Sequence, residues 1–179
     1  MNFQEAVSNA KNSTRIAVFA PKIFADCLQH CLNFHQVTFS FFSDENQNVF
    51  ATDFQIFHTE NPEEFNLIKP NIALIIPQSE AEFAKLNLGE IINGGVLIYN
   101  EDLEHQISET PGFFRKLSFQ IAETTTDNFQ NFLETDFSQI PLQISDRTLI
   151  ENIFGLKILC QQTQIMEEDF YEALMEFRA

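Results

Sequence analysis

A chain of 179 residues with 44% apolar side chains, including 21 phenylalanines and no tryptophan, can bury a continuous core without staples, which excludes disorder and a repeat array. Its 26 acidic and 10 basic residues leave a formal charge of −16. With no basic stripe to follow a phosphate backbone, a nucleic-acid partner is excluded and an anionic membrane surface is disfavoured.

The amino terminus, "MNFQEAVSNAKNSTR", lacks the apolar core of a secretory signal. The longest apolar runs, such as "IALII" at 72–76, are far too short to cross a bilayer. A cytoplasmic location is expected, with the three cysteines reduced.

"RIAVFA" (15–20) reads as a buried strand. Pro21 suits the first turn of a helix, and the following residues carry apolar side chains at helical spacing. Cys27 and Cys31 have His30 and His35 nearby, but they share a stripe with Phe24, Leu28 and Leu32. That spacing predicts core thiols rather than a metal site, which needs four converging ligands. "VTFSFF" (37–42) is a second strand, "SDENQN" a polar turn and "TDFQIFHT" (52–59) a third strand. "NPEEFNLIKP" connects to a fully buried strand, "NIALIIP" (71–77). Ser79 caps a helix predicted over 80–93, with Glu82 completing a capping box. A Gly-Gly turn then leads into "VLIYN", ending at Asn100.

Strands alternating with helices imply a parallel sheet covered on both faces. After residue 112 the pattern changes: "FRKLSFQIAE", "FQNFLETDF" and "QIPLQIS" read as antiparallel strands, followed by helices over 147–163 and 167–179. The neighbouring pairs Phe41–Phe42 and Phe113–Phe114 point to opposite sides of their strands. In a doubly covered sheet both sides are core, and the alternative is a protein interface, where aromatics concentrate. His58 on a strand and His105 in an acidic helix have no partner evident in the sequence and are read as core or surface residues. Asp26 is expected to face solvent or the positive end of its helix.

The order of elements and several strings resemble the central, ATP-binding domain of the Mur ligases. The branch most resembled joins a uridine-nucleotide muramic acid to alanine or to a recycled cell-wall peptide. The strongest strings are "ENIFGLKILCQQTQIMEEDFYEALMEFRA" at the end, and "KPNIALI" followed by "GGVLIYNEDLE"; "NSTRIAVFA" resembles the strand that enters the family's phosphate loop. The resemblance implies a P-loop-NTPase-like α/β fold: a mostly parallel sheet, helices on both faces and a small antiparallel segment in the C-terminal half. It implies a single domain over 1–179, with the family's amino-terminal uridine-nucleotide domain and carboxyl-terminal domain absent.

The positions that carry the family's chemistry depart from its pattern. The family's loop, Gly-x-x-Gly-Lys-Thr-Thr, wraps backbone N–H groups round the phosphates, neutralises charge with its lysine and holds magnesium through a hydroxyl. Here the segment is "FAPKIFAD": no glycine precedes Gly89, Pro21 removes a donor, and Ile23 and Phe24 follow Lys22 in place of threonines. The family's acidic, magnesium-linked strand end is matched by "FHTENPEEF", where Glu60, Glu63 and Glu64 keep acidity but Asn61 and Pro62 break the spacing; a solvated acidic loop is the favoured reading of them. The Asp-His after "IALI" is missing, and of the family's His-Asn-x-x-Asn, matched by Thr148, Leu149 and Asn152, only Asn152 survives.

The expectation is a non-catalytic Mur ligase-like protein with no catalytic residue and no metal site. Lys22, Glu60 and Asn152 would be degenerate nucleotide-site positions, with ATP and magnesium not expected as cofactors. Such a protein would act through a protein partner or as a homo-oligomer, linked to cell-wall precursor metabolism. The alternative is an ATP-dependent ligase domain with a residual nucleotide site, because a helix start bearing a lysine can still attract an anion.

Overall fold

In the computed structural model, which describes residues 2–43, 47–48, 50 and 52–179, the first predicted strand is the centre of the fold. β1 (Thr14–Phe19) turns Ile16 and Val18 to one side and Ala17 and Phe19 to the other, and all four are buried. Side chains alternate along a strand, so burial on both sides requires cover on both. β1 lies between β4 (Phe54–Thr59) and β5 (Ile72–Ile75), parallel to each. Among the described residues seven strands form one sheet in the order β3-β2-β4-β1-β5-β6-β7. Here β2 is Phe39–Phe42, β3 Gln47–Asn48, β6 Val96–Asn100 and β7 Arg115–Phe119. β3 runs antiparallel to β2, and every other pairing is parallel.

One face is covered by α2 (Lys22–Phe34), α6 (Arg147–Glu151), α7 (Ile153–Gln162) and α8 (Glu167–Glu176). The stripe Phe24, Cys27, Leu28, Cys31 and Leu32 of α2 is fully buried there, as its i, i+3, i+4 spacing predicts. Gly155 lets α7 approach the sheet closely, since a Cβ at that position would lie 2.6 Å from the ring of Phe119. The other face is covered by α1 (Phe3–Asn9), α3 (Pro62–Ile68), a 3₁₀ turn at Leu88–Glu90 and α5 (Glu104–Ser108). Phe41 enters the first core and Phe42 the second, so the adjacent phenylalanines of β2 are both core.

A second, three-stranded antiparallel sheet, in the order β10-β9-β8, is formed by β8 (Thr124–Asp127), β9 (Gln130–Glu134) and β10 (Gln139–Leu142). The α/β class, the mostly parallel sheet and the antiparallel segment in the C-terminal half are therefore as expected.

Several details differ from the sequence reading. β7 pairs parallel to β6 rather than joining the antiparallel group. The reason is α5, which returns the chain to the start of the sheet before β7 begins. The antiparallel sheet takes its third strand instead from β8, "TTTD", exposed along its whole length; such a strand carries no apolar alternation to detect. The helix predicted over 80–93 ends at Phe83, as α4 (Glu80–Phe83). Beyond it Asn87 donates its backbone N–H to Asn66 Oδ1 at 2.7 Å and Ile92 to the Pro70 carbonyl at 3.1 Å, and these long-range bonds replace helical ones. "NPEEFNLIKP" is not a plain connection but holds α3, capped by Asn61 with Pro62 in its first turn. The helix over 147–163 is interrupted at Asn152 and α8 stops at Glu176. Phe113 is 85% exposed, so its pair with Phe114 is not core on both sides. Of the polar turn "SDENQN", residues 44–46 lie outside the described residues.

Candidate functional site

In an open α/β sheet the crevice for ligands lies beyond the carboxyl ends of the strands, where the strand order reverses. Here the chain leaves β1 through α2 on one face towards β2, and leaves β4 through α3 on the other face towards β5. The reversal therefore falls at the end of β1, where Phe19 passes through Ala20 and Pro21 into α2.

That corner is closed by the protein's own groups. Pro21 is the N-cap of α2, extended at φ −51 and ψ 147 without a side-chain capping bond, and it has no N–H to offer. The amide of Phe24 donates to the Pro21 carbonyl at 3.0 Å. The Ala20 carbonyl lies 2.9 Å from His58 Nε2. Because a carbonyl can only accept, Nε2 carries the proton, and the buried imidazole ties β4 to the turn. The Phe19 carbonyl accepts the N–H of Ile76 at 2.7 Å, extending the pairing of β1 with β5 past its end. Gln78 spans the opening, its side-chain amide donating to the Ile76 carbonyl at 3.0 Å and its backbone N–H to Glu82 at 2.8 Å. The space left between Phe19, Pro21, Glu60 and Gln78 is about 10 Å³, room for about one water molecule.

Lys22 is the first residue of α2 and is exposed, while Glu60 lines the small cavity together with Pro21, the residue before Lys22. Asn152 lies elsewhere, at the junction of α6 and α7. Its Oδ1 accepts from Asn100 Nδ2 at 3.0 Å and its Nδ2 donates to the Thr148 carbonyl at 2.9 Å, so both ends of its amide serve local structure. Glu63 and Glu64 are not in a loop: they form the first turn of α3, where carboxylates favour the positive helix end. Glu64 also accepts the hydroxyl of Thr59.

His58 and Gln78 are the residues that sequence reasoning missed here. His58 was read as lacking a partner, and its partner is a backbone carbonyl 38 residues away, which no local pattern announces. His30 and His35 similarly reach from α2 to the carbonyls of Ala173 and Asp169 on α8, at 2.9 and 2.7 Å. Cys27, Cys31 and Cys160 are all buried in the first core. Hydrogen bonding to Cys31 and burial push Cys27 and Cys160 well up, so they remain thiols and pack as small apolar groups. No helix among the described residues is long and apolar enough to cross a membrane.

No protein-family model matches the sequence, and neither does any curated protein. Solved structures do match the fold. A MurF from Acinetobacter baumannii superposes with a TM-score of 0.73 at 14% identity, covering 99% of this chain and 48% of that one. A murein peptide ligase from Psychrobacter arcticus gives 0.74 at 12% identity, over 98% and 49%. A MurF from Thermotoga maritima, in complex with ADP, gives 0.65 at 11% identity, over 99% and 51%. The chain thus spans about half the length of these structures, and its fold is like that of a Mur ligase central domain.

Proposed function

We propose that this chain, with its Mur ligase-like fold, is a non-catalytic relative of the Mur ligase central domain that works in the cytoplasm through protein contacts. The observation that carries this reading is the closed corner at the end of β1. Phosphoryl transfer depends on positioning and on charge stabilisation by loop amides, a lysine and a metal. Here a proline stands at the turn, the Ala20 carbonyl is tied to His58, and about 10 Å³ is free. A polyphosphate with magnesium does not fit those residues, and no step through ATP is derived. Phe113, Phe129 and Phe137, 85%, 105% and 90% exposed, support the interaction role, since aromatic side chains in water concentrate at interfaces. Likeness to MurF and murein peptide ligase structures suggests cell-wall precursor metabolism as the setting.

A second reading, an ATP-dependent ligase domain with a residual nucleotide site, is favoured by an exposed lysine, Lys22, at the first position of the helix that follows β1. Calorimetric titration with ATP and magnesium separates the two. The expected result is no heat of binding; saturable binding in the micromolar range, lost in Lys22→Ala, establishes the second reading instead. Light scattering of the purified chain tests whether the interface is between copies.

A further inference from the structure

The small sheet has two edges, and one of them is guarded. Bonded and unbonded pairs alternate along an antiparallel ladder. The N–H of Thr135 donates to the Ser138 carbonyl at 3.1 Å, so Leu133 and Ile140 form the next bonded pair and Gln139 and Pro141 turn their backbone groups outward. Pro141 has no N–H to present there, a common guard of an edge strand. Beyond β10 the carboxyl terminus closes the edge: Ser145 donates to the Ala179 carbonyl at 2.7 Å and Ala179 to that of Gln143 at 3.2 Å. The large sheet ends in β3, two residues long, and in β7, which begins with Arg115 and Lys116. Short strands and cations are guards of the same kind.

β8 has no proline, no lysine and no bulge, and its one charge is Asp127 at its end. The N–H of Glu134 donates to the Glu123 carbonyl at 2.9 Å, so Thr125 and Asp127 bond to β9 while the N–H and C=O of Thr124 and Thr126 point away from it. No hydrogen bond joins those four groups to any other among the described residues. Three consecutive β-branched residues favour the extended form, and the strand is exposed along its whole length. Such an edge is the template on which an extended segment adds as a further strand.

Charge selects the occupant. The sequence holds no lysine, arginine or histidine between residues 117 and 146. Glu123 and Asp127 share the side of the strand that Thr125 faces, and Thr125 donates its hydroxyl to Glu134 Oε1 on that side at 2.8 Å. A second copy is a poor fit: two-fold pairing through Thr125 sets Glu123 of each chain opposite Asp127 of the other, and like charges directly opposite destabilise a sheet. We propose that β8 takes up an extended segment of a partner protein as a fourth, antiparallel strand, with lysine or arginine opposite both Glu123 and Asp127. This deepens the interaction role proposed above and rests on it.

The probe is a fluorescein-labelled peptide, Gly-Lys-Val-Thr-Val-Lys-Gly, titrated with the full chain at fixed ionic strength and followed by anisotropy. One saturable site is expected. Methylating both valine nitrogens keeps the charge but removes the donors to Thr124 and Thr126, and should weaken binding about tenfold or more. Thr126→Pro removes an outward N–H and leaves the backbone bonds to β9; if its thermal melt shows it folded, it should weaken binding about fivefold. Glu123→Gln with Asp127→Asn should weaken it about fivefold, and a peptide with glutamates for lysines should not saturate. Equal affinity for the methylated and parent peptides shows diffuse charge attraction and overturns the proposal, with the unaltered chain as the reagent. No saturation by the parent peptide, or undiminished affinity in folded Thr126→Pro, overturns it as well. A dimer in light scattering that Thr126→Pro abolishes gives the edge to a second copy and overturns the choice of occupant. Failure of the peptide while ATP stays silent removes this edge alone; saturable ATP binding removes the non-catalytic reading whatever the peptide does.

Discussion

The two sheets of this molecule are specified by different amounts of burial. The seven-stranded sheet presents apolar side chains to helices on both faces, and its central strands are buried at nearly every position. The three-stranded sheet reaches the core through Leu133 and Leu142, while every residue of β8 faces water. Its two hairpin tips carry Phe129 and Phe137, almost wholly exposed. A one-residue slip in the large sheet would turn Ile16 and Val18 into the places of Ala17 and Phe19, with clashes and cavities in two cores at once. A slip in the small sheet would change little beyond the seating of two leucines. Register in the first is a packing property; in the second it rests on turns and a few side-chain bonds.

The largest expected effect lies in the large sheet. Phe57→Ala removes a ring buried between Phe3 and Phe42 and should cost about 3–5 kcal/mol, read as a loss in a urea melt. A cost similar to that of a surface substitution would mean that the second face is not a packed core. Next, His58→Ala leaves the buried Ala20 carbonyl without its donor and should cost about 1–3 kcal/mol. His58→Gln, which keeps a donor, should recover part of that. Smaller still, and opposite in sign, Phe129→Gly in the small sheet relieves a left-handed backbone at φ 66 in a two-residue turn beside Asn128 at φ 47. Stability should rise by up to about 1 kcal/mol, and a loss on that scale would show that the exposed ring has a packing role. The smallest effect is in pH dependence. Burial, with the hydrogen bond to Glu104, pushes Tyr99 up to about 12. An unfolded chain releases that proton near about 10. Stability from this group is therefore complete below about pH 10 and is lost as pH rises towards the folded value. Tyr99→Phe should flatten the alkaline side of a stability-against-pH curve, and an unchanged curve would show that Tyr99 titrates normally.

The legibility of the chain follows the same division. β1, β5 and β6 were readable because buried parallel strands are short, continuous apolar runs, and α2 because its stripe repeats at helical spacing. β8 was unreadable because all four of its residues face solvent. The short α4 was misread as a long helix because amphipathic spacing continues past Phe83 while Asn66 and Pro70 draw the backbone away. Phe114 and Phe113 were separated by their neighbours in space: the first packs on the second core and the other stands in water.

At the candidate site, residue chemistry was readable and convergence was not. From the letters alone it follows that no glycine attends Lys22, that Pro21 withholds an amide and that the strand alternation requires two covered faces, because these are properties of single residues and of local period. Only the tertiary structure placed Glu60 beside Pro21, set Asn152 at the junction of α6 and α7, gave His58 the Ala20 carbonyl and brought Lys157 onto two aromatic rings. Contacts between residues tens of positions apart are decided by how whole elements pack, and packing free energy is a sum over the fold that no short stretch of sequence contains.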